Sequence, residues 1–213
     1  MAHPKITRRQ IIKGAAVAGA FGALGLPSAA FADAGDEGDK RIRWDLIDIT
    51  PPNPTTGTPG EINPGGDDTA SSEGEFTLTL KGSGTFRPRH SRQVTGGGTW
   101  SSNNPTVGGS GTYQVTELVS WVLAPGGLPP VFNDHIGNLA DLRAGLAVFG
   151  IKYSDGLDGT LVVSCNLAGT PASVDEGVNG SRGFVNFFMP APPGFGKHSN
   201  RTAFHALHGE DKD

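Results

Sequence analysis

The fold is decided by three related segments, LKGSGTF at 80–86, VTGGGTW at 94–100 and VGGSGTY at 107–113. Each segment reads aliphatic, any residue, Gly, any residue, Gly, Thr, aromatic. The segments begin 14 and 13 residues apart, which suits one strand plus one turn and is too short for a solenoid repeat. They therefore predict three neighbouring strands in the middle of an antiparallel sheet.

Strand alternation puts the aliphatic residue, both glycines and the aromatic residue of each segment on one face of this sheet. Glycine inside a strand costs about 0.5–1 kcal/mol relative to alanine, so the repetition requires a physical reason. One interpretation is curvature, with the flanking aromatic side chains covering the gap themselves. The other is a shallow groove left open for a guest and edged by Phe86, Trp100 and Tyr113. The glycines concerned are Gly82, Gly84, Gly96, Gly98, Gly109 and Gly111.

The composition favours an all-β domain with many short strands, because 33 Gly and 16 Pro accompany only 18% charged residues. We predict a single antiparallel barrel of about eight strands, with a two-sheet β-sandwich as the alternative. Residues 50–74 and 125–138 are predicted to be Gly/Pro-rich loops. Further strands are predicted at 41–49, 75–81, 142–153, 159–166 and 182–189. Residues 201–208 are predicted to form either a last short strand or a docked tail.

The longest apolar run, residues 113–124, places Glu117 on the face that it predicts to be buried. Val115, Val119, Trp121 and Leu123 share that face by alternation. Either Glu117 is an inward carboxylate with a raised pKa, or a β-bulge near residues 116–118 turns it outward.

The N-terminus has the three parts of a signal peptide. TRRQIIK at 7–13 is the positive head, residues 14–26 are weakly apolar, and a small-x-small end precedes Ala32. The arginine pair and the trailing Lys13 resemble a twin-arginine translocation signal. That resemblance implies export of a folded protein by the Tat translocase, to the periplasm or beyond. Cleavage is predicted after Ala32, with cleavage after Ala34 as the alternative.

The predicted organisation is a signal peptide at 1–32, a flexible leader at 33–40, a β domain at 41–208 and a charged tail at 209–213. Cleavage removes four of the 17 Lys and Arg and leaves all 21 Asp and Glu, so the exported chain is near −8. This charge argues against a nucleic-acid partner. We predict a soluble chain with no stable membrane span after cleavage. The single cysteine, Cys165, is predicted to be a small core residue.

No standard catalytic motif occurs, and three weaker clusters remain. His198, His205 and His208 suit a metal only if the tail is helical. Turn chemistry explains the aspartates Asp155 and Asp158 better than a Ca²⁺ site does. The basic loop 87–92 is interpreted as a solvated hairpin tip, with an anionic ligand or surface as the alternative. We therefore predict no metal and no cofactor.

The glycine-rich strands also resemble those of small exported bacterial β-barrels, including the allene-oxide-cyclase/dirigent type. The resemblance implies a barrel and transfers no functional residue. Two function classes stay open: a non-catalytic binding or envelope-associated module, whose partner is a small ligand or an envelope component, and a small cyclase- or isomerase-like enzyme or ligand carrier. The second class would use the barrel interior. The predicted ligand-binding residues are Trp100, Tyr113, Glu117, Trp121 and Arg143.

Overall fold

The computed structural model describes residues 40–72 and 75–208. Its one helical turn within these residues is a 3-10 turn at Leu139–Asp141. The predicted signal peptide, most of the leader and the charged tail lie outside the described residues. The strands are β1 (Arg41–Thr50), β2 (Gly60–Pro64), β3 (Asp68–Ser72), β4 (Phe76–Arg87), β5 (His90–Ser102), β6 (Gly109–Ala124), β7 (Phe132–Asp134), β8 (Leu142–Tyr153), β9 (Asp158–Cys165), β10 (Gly177–Arg182), β11 (Val185–Phe187), β12 (Met189–Pro190) and β13 (Thr202–Leu207).

The three glycine segments lie on the neighbouring antiparallel strands β4, β5 and β6, as predicted. Gly82 is opposite Gly98 and Gly84 is opposite Gly96, so the first two segments align along their whole length. The third segment is displaced, because Trp100 lies opposite Gly111. Glycine therefore lies opposite glycine between β4 and β5, whereas an aromatic residue lies opposite a glycine between β5 and β6.

Strand pairing closes into a ring. The order β1–β4–β5–β6–β8 is continuous, and β13 pairs with both β1 and β8. Phe204 of β13 lies opposite Trp44 on one side and Arg143 on the other. Strands β9, β10 and β11 continue the sheet from β8, while β3 and β12 continue it from β4. The C-terminal strand, predicted at 201–208, is the element that joins the two edges.

Aromatic side chains fill the space inside this ring. The Trp44 and Phe149 ring centroids are 5.5 Å apart, and Phe86 lies 5.5 Å from Phe149 and 5.2 Å from Trp121. Trp121 continues the contact to Phe204 at 4.7 Å. Such tilted and edge-on pairs add to the free energy of burying the rings.

The first predicted loop contains two strands that the sequence analysis missed. β2 pairs with the end of β1 and, in parallel, with β7, which lies in the second predicted loop. β3 pairs with the first half of β4. Ile62 of β2 is fully buried. These segments lack periodicity of their own, and partners distant in sequence supply their hydrogen bonds.

Two register shifts in β6 turn Glu117 outward. They lie between Val115 and Glu117 and between Leu118 and Ser120. The prediction of a bulge is therefore confirmed. The same shifts make Leu118 the buried residue and leave Val119 61% exposed, so the inward position predicted for Val119 is wrong.

The strand predicted at 182–189 is shorter and less buried than expected. β11 covers only Val185–Phe187 and has Phe187 in the core. Phe184 is 80% exposed and Phe188 is 68% exposed. Their predicted burial is wrong because Phe184 lies in the turn between β10 and β11 and Phe188 lies between β11 and β12, so neither side chain is placed in the core by the strand.

Candidate functional site

A cleft of about 520 Å³ lies between the outer face of β1 and β13 and the segment that follows β7. Its volume falls in the range of small-molecule sites. We call it the β1–β13 cleft. Its walls are formed by Arg43, Thr85, Ile136, Gly137, Asn138, Asp141, His205, Ala206, Leu207 and His208.

Strand alternation explains why polar side chains reach this cleft. Ile42 and Trp44 of β1 are fully buried in the ring, so Arg43 between them points outward. His205 lies directly opposite Arg43 on β13. The outer face of two adjacent strands thus presents a guanidinium beside an imidazole.

Arg43 is held by Asp45, the next outward residue of the same strand. Its Nε donates to Asp45 Oδ2 at 2.8 Å and its Nη2 donates to Oδ1 at 2.9 Å. Asp45 is fully buried. Burial raises the pKa of this carboxyl group, and the hydrogen bonds from Arg43 offset part of the shift. The bidentate pair fixes the guanidinium plane at the cleft wall.

His205 forms the second pair and is itself almost fully buried. Its Nε2 lies 2.7 Å from Asp134 Oδ2. Burial tends to raise the pKa of Asp134, but the bonds from His205 and from the Ile136 and Gly137 amides leave it lowered. The other ring nitrogen, Nδ1, is buried without a hydrogen-bond partner.

His208 and Asp141 form the third pair, with Nε2 2.7 Å from Oδ1, at the exposed side of the cleft. Thr85 on the remaining wall shares a hydrogen bond of 2.9 Å with Thr95. The cleft walls therefore carry donors and acceptors in fixed positions. Such an arrangement suits recognition of a polar ligand.

The condition for a shared histidine metal site is not met, because His205 lies on a strand, β13, and His205 and His208 have separate carboxylate partners. His198 pairs with Asp67 at 2.6 Å. Within residues 40–72 and 75–208, no group of three His, Cys, Asp or Glu side chains is arranged to hold a metal ion.

The five predicted ligand-binding residues are not brought together. Trp100 and Tyr113 are buried, and both rings contact Tyr153. Trp121 packs elsewhere, against Phe86 and Phe204.

Of the polar members of that set, Glu117 is exposed on the outer side of β6. Arg143 donates to the carbonyl oxygens of Ala140 and Leu142 at 3.0 Å each, beside the 3-10 turn. Ligand contact through these five residues stays a prediction.

Aromatic side chains occupy the inward face of the glycine segments. A Cβ on Gly82 would overlap Tyr113 Oη, and a Cβ on Gly84 would lie 2.8 Å from Trp44 Nε1. A Cβ on Gly111 would lie 3.1 Å from Trp100 Nε1. Neighbouring rings thus fill the space left by the missing side chains at these three positions, while a Cβ on Gly96 or Gly98 would meet the backbone of the paired strand β4.

Asp68 and Glu176 are two acidic residues that lie away from the cleft. Asp68 is fully buried, and neither carboxylate oxygen has a hydrogen-bond partner of normal geometry. Glu176 accepts from the backbone amides of Asn166 and Thr202 at 2.5 and 2.8 Å. Cys165 is buried here as predicted, and its pKa is raised by burial. Because the pKa values of Asp68 and Glu176 are raised in the folded protein, the free energy of unfolding should depend on pH.

We expect the free energy of unfolding to fall as the pH rises from about 5 to about 8. Burial raises the pKa of Glu176 from 4.5 to about 7. Between these values the folded state binds more protons than the unfolded state, so raising the pH favours unfolding. The pKa of Asp68 is raised by burial too and acts in the same direction. The contribution from Glu176 is on the order of 2–3 kcal/mol.

Urea unfolding at both pH values tests this expectation. Glu176→Gln should lose less stability between pH 5 and pH 8 than the parent chain does. Glu117→Gln, at an exposed carboxylate, is the control and should keep the parent slope. Equal slopes for all three chains would contradict the assignment to Glu176.

The sequence analysis singled out neither Asp134 nor Asp45 and considered His205 only as a metal ligand. Asp134 and His205 are 71 residues apart, and no local pattern links them. The outward position of Arg43, between two buried residues at the start of β1, was the one available signal.

Residues 5–25 match the family described as the TAT (twin-arginine translocation) pathway signal sequence. Comparison with curated proteins and with solved structures gives no match. The chain is therefore an exported all-β protein that uses the Tat translocase, with a periplasmic or extracellular destination. In the part that the structure describes, no helix is long and apolar enough to cross a membrane.

Proposed function

We propose that the exported chain is a non-catalytic binding module, built as a closed antiparallel barrel, that holds a small polar ligand or a polar group of an envelope component in the β1–β13 cleft. The ring of paired strands from β1 round to β13 supports a barrel over a two-sheet sandwich. A barrel removes the free sheet edges that an exported chain would otherwise expose at these strands.

The observation that carries the proposal is the filled glycine face. Tyr113 and Trp44 occupy the space that the missing side chains of Gly82 and Gly84 leave. A guest in that position would have to displace buried rings. The cleft outside the ring has about 520 Å³ of space, so it is the better candidate for a ligand.

The chemistry of the cleft supports binding over catalysis. The Arg43 guanidinium is already engaged by Asp45, and each cleft histidine has a carboxylate partner. The Thr85 hydroxyl is bonded to Thr95. These groups are held in place by other side chains, which reduces the entropy cost of fixing a ligand.

A pair of tryptophan variants tests the location of the ligand. Thr85→Trp places an indole in the cleft, while Thr95→Trp disrupts the same threonine–threonine hydrogen bond from outside it. We expect polar compounds found by NMR screening (monosaccharides, amino acids, dicarboxylates, inorganic phosphate) to shift the His205 and His208 ring signals. Thr85→Trp should weaken such binding about tenfold or more, which corresponds to 1.4 kcal/mol.

Thr95→Trp should bind within about twofold of the parent chain, since its ring lies outside the cleft. Equal weakening by both variants would contradict the proposed location. So would compounds that shift only the signals of the outer groove of about 290 Å³ that includes Val122 and Asn179.

A second candidate, a cyclase- or isomerase-like enzyme or ligand carrier that uses the interior, has one observation in its favour. Tyr113 Oη and Trp44 Nε1 are buried without hydrogen-bond partners, and Asp68 is buried without a partner of normal geometry. Buried polar groups of native proteins usually have partners, so unpaired ones point to an interior guest or water. Burial also raises the pKa of Tyr113, with the Asp68 charge adding to the shift.

Tyr113→Phe separates the two candidates, because it removes only the hydroxyl group. Loss of ligand binding or turnover in Tyr113→Phe, with Thr85→Trp unaffected, would favour the interior. The reverse result would favour the cleft.

A further inference from the structure

Three histidine–carboxylate pairs attach one segment of the chain to the sheet beside the β1–β13 cleft. The segment is residues 132–141, which we call the strap; it begins with β7 and ends in the 3-10 turn. It forms one wall of the cleft through Ile136, Gly137, Asn138 and Asp141. The position of the strap therefore sets the width of the cleft.

The three pairs reach three different parts of the protein. One joins the strap to β2, one joins it to β13, and one joins it to the residue that directly follows β13. The distances between the paired atoms are 2.5 to 2.7 Å. The pairs are His135–Glu61, Asp134–His205 and Asp141–His208.

Burial divides the three pairs into two kinds. The side chains of His205 and Asp134 are only 1% and 3% exposed, so this pair is a buried attachment. The side chains of His135 and His208 are 53% and 64% exposed, so both rings are open to solvent. The exposed pairs are therefore the ones that respond directly to the pH of the surroundings.

The charges of the exposed pairs determine the direction of this response. Histidine ordinarily gains its positive charge as the pH falls from about 8 to about 5, and carboxylates are ordinarily charged above about pH 5. Hydrogen bonds from His135 and Asn133 lower the pKa of Glu61, which keeps this carboxylate charged over the same range. Each exposed pair is thus an ion pair at acidic pH and a neutral hydrogen bond at alkaline pH. The closed strap binds protons more tightly than the open strap, so a falling pH favours closure.

Other charged side chains lie around the strap. Arg43 and Asp45 form their own bidentate pair, and His205 and Asp134 act on the pKa of Asp45. Arg143 donates to the carbonyl oxygen of Ala140 in the 3-10 turn. Arg41 lies opposite the residue before His208. Arginine stays charged at every pH considered, so these neighbours add a constant background to the two exposed histidines.

We propose that the strap is a pH-sensitive closure over the β1–β13 cleft: protonation of His135 and His208 holds it shut, and their deprotonation lets it open more often. Phe132, Ile136 and Leu139 pack against the core at every pH, so the change is in how often the strap opens and not in the fold. An exposed ion pair changes such an equilibrium by about 1.4-fold to fivefold. Two such pairs should therefore change the opening equilibrium by about twofold or more.

The closure has a consequence for ligand binding that rests on the proposed function. A ligand in the cleft would be retained longer at acidic pH, because the wall formed by the strap opens less often. The exported chain has a periplasmic or extracellular destination, so the pH at that destination would adjust the retention of the ligand. The pH response of the strap itself does not depend on what the cleft binds.

Amide hydrogen exchange of the full exported chain at about pH 5.5 and about pH 8 tests the inference. Rates are expressed as protection factors, which remove the pH dependence of the chemical step. The amides of His135, Ile136 and Gly137 report on the strap, since they hydrogen-bond to Ile62 and Asp134. We expect their protection to fall by about twofold or more at the higher pH, relative to the amides of the β8–β9 hairpin. The fall should be smaller in about 1 M NaCl, which screens exposed ion pairs.

Two double variants and one control identify the titrating groups. Replacing both exposed rings with glutamine (His135→Gln with His208→Gln) should make strap protection nearly independent of pH. Replacing both with lysine (His135→Lys with His208→Lys) keeps the charge at both pH values, so the strap should stay protected at the higher pH. His198→Gln is the matched control, because it removes a histidine–carboxylate pair with Asp67 that is not part of the strap. It should keep the pH response of the parent chain.

Three outcomes overturn the inference. One is equal protection of the strap at the two pH values in the parent chain. Another is a fall that the amides of the β8–β9 hairpin share to the same extent, since global unfolding would then explain it. The third is a pH response that survives the glutamine substitutions, because the titrating group would then lie elsewhere. Failure of the proposed function is seen separately, because the exchange experiment needs no ligand and Thr85→Trp tests the location of the ligand.

Discussion

Replacing Arg182 with alanine should lower the free energy of unfolding by roughly 3–5 kcal/mol. Arg182 is 1% exposed and is among the largest fully buried side chains of the domain. Its guanidinium carbon lies 3.7 Å from the Trp100 ring centroid and 4.7 Å from that of Tyr153. Truncation would therefore leave a cavity beside the two aromatic rings.

The hydrogen bonds of Arg182 add to this cost. Its Nε donates to the buried carbonyl of Val107 at 2.7 Å, and that acceptor would lose its partner. Its Nη1 donates to Asp155 Oδ1 at 3.1 Å, and this contact lowers the pKa of Asp155. Because Asp155 is at the surface, water replaces the lost contact and its share of the effect is small.

Urea unfolding of two further variants separates these contributions. Arg182→Met fills the cavity without restoring a donor, so its stability should fall between those of the alanine variant and the parent chain. Arg89→Ala, at an exposed arginine of the β4–β5 turn, is the control and should change stability by less than about 0.5 kcal/mol. A loss below about 1 kcal/mol for Arg182→Ala would refute the role assigned to this side chain.

Gly84→Ala should lower the free energy of unfolding by about 3 kcal/mol or more, although it adds a single methyl group. The new Cβ would overlap the carbonyl oxygen of Thr95 and come within 2.7 Å of the Gly96 Cα. Both are backbone atoms of the paired strand β5, which cannot move without breaking the ladder. The Trp44 indole blocks the remaining direction at 2.8 Å.

Gly127→Ala is the matched control for this change. It is a loop glycine, and a Cβ there would meet nothing within 4 Å. We expect it to change the melting temperature little, while Gly84→Ala lowers it by roughly 10 °C or more. Similar effects of the two substitutions would show that close packing at Gly84 is not what the glycine provides.

Much of the sheet was predictable because its strands alternate on their own. β1, β4 and the β8–β9 hairpin follow the period-2 pattern of their apolar residues, and the Asp-Gly turn joins the hairpin. The bulge at Glu117 was predictable for the same reason, since a carboxylate on an otherwise apolar face conflicts with burial. Cys165 followed from alternation with Leu161 and Val163.

The missed elements depend on partners that are distant in sequence. β2, β3 and β7 are short and polar, and each exists because a neighbouring strand supplies its hydrogen bonds. Phe184 and Phe188 are exposed because they lie just outside the two ends of β11, which the local sequence does not mark. The cleft depends on the return of β13 to β1 and on the segment after β7 folding over both.

The glycine segments depend both on local sequence patterns and on long-range contacts. Export, the all-β class and three adjacent strands with an inward face short of side chains were all predictable from local sequence patterns. What fills that face was not, because Trp44 and Tyr113 reach it from strands paired through long-range contacts. The tertiary structure also moved the candidate site from the interior to the outer face, since Arg43, Asp134 and His205 meet only after the ring has closed.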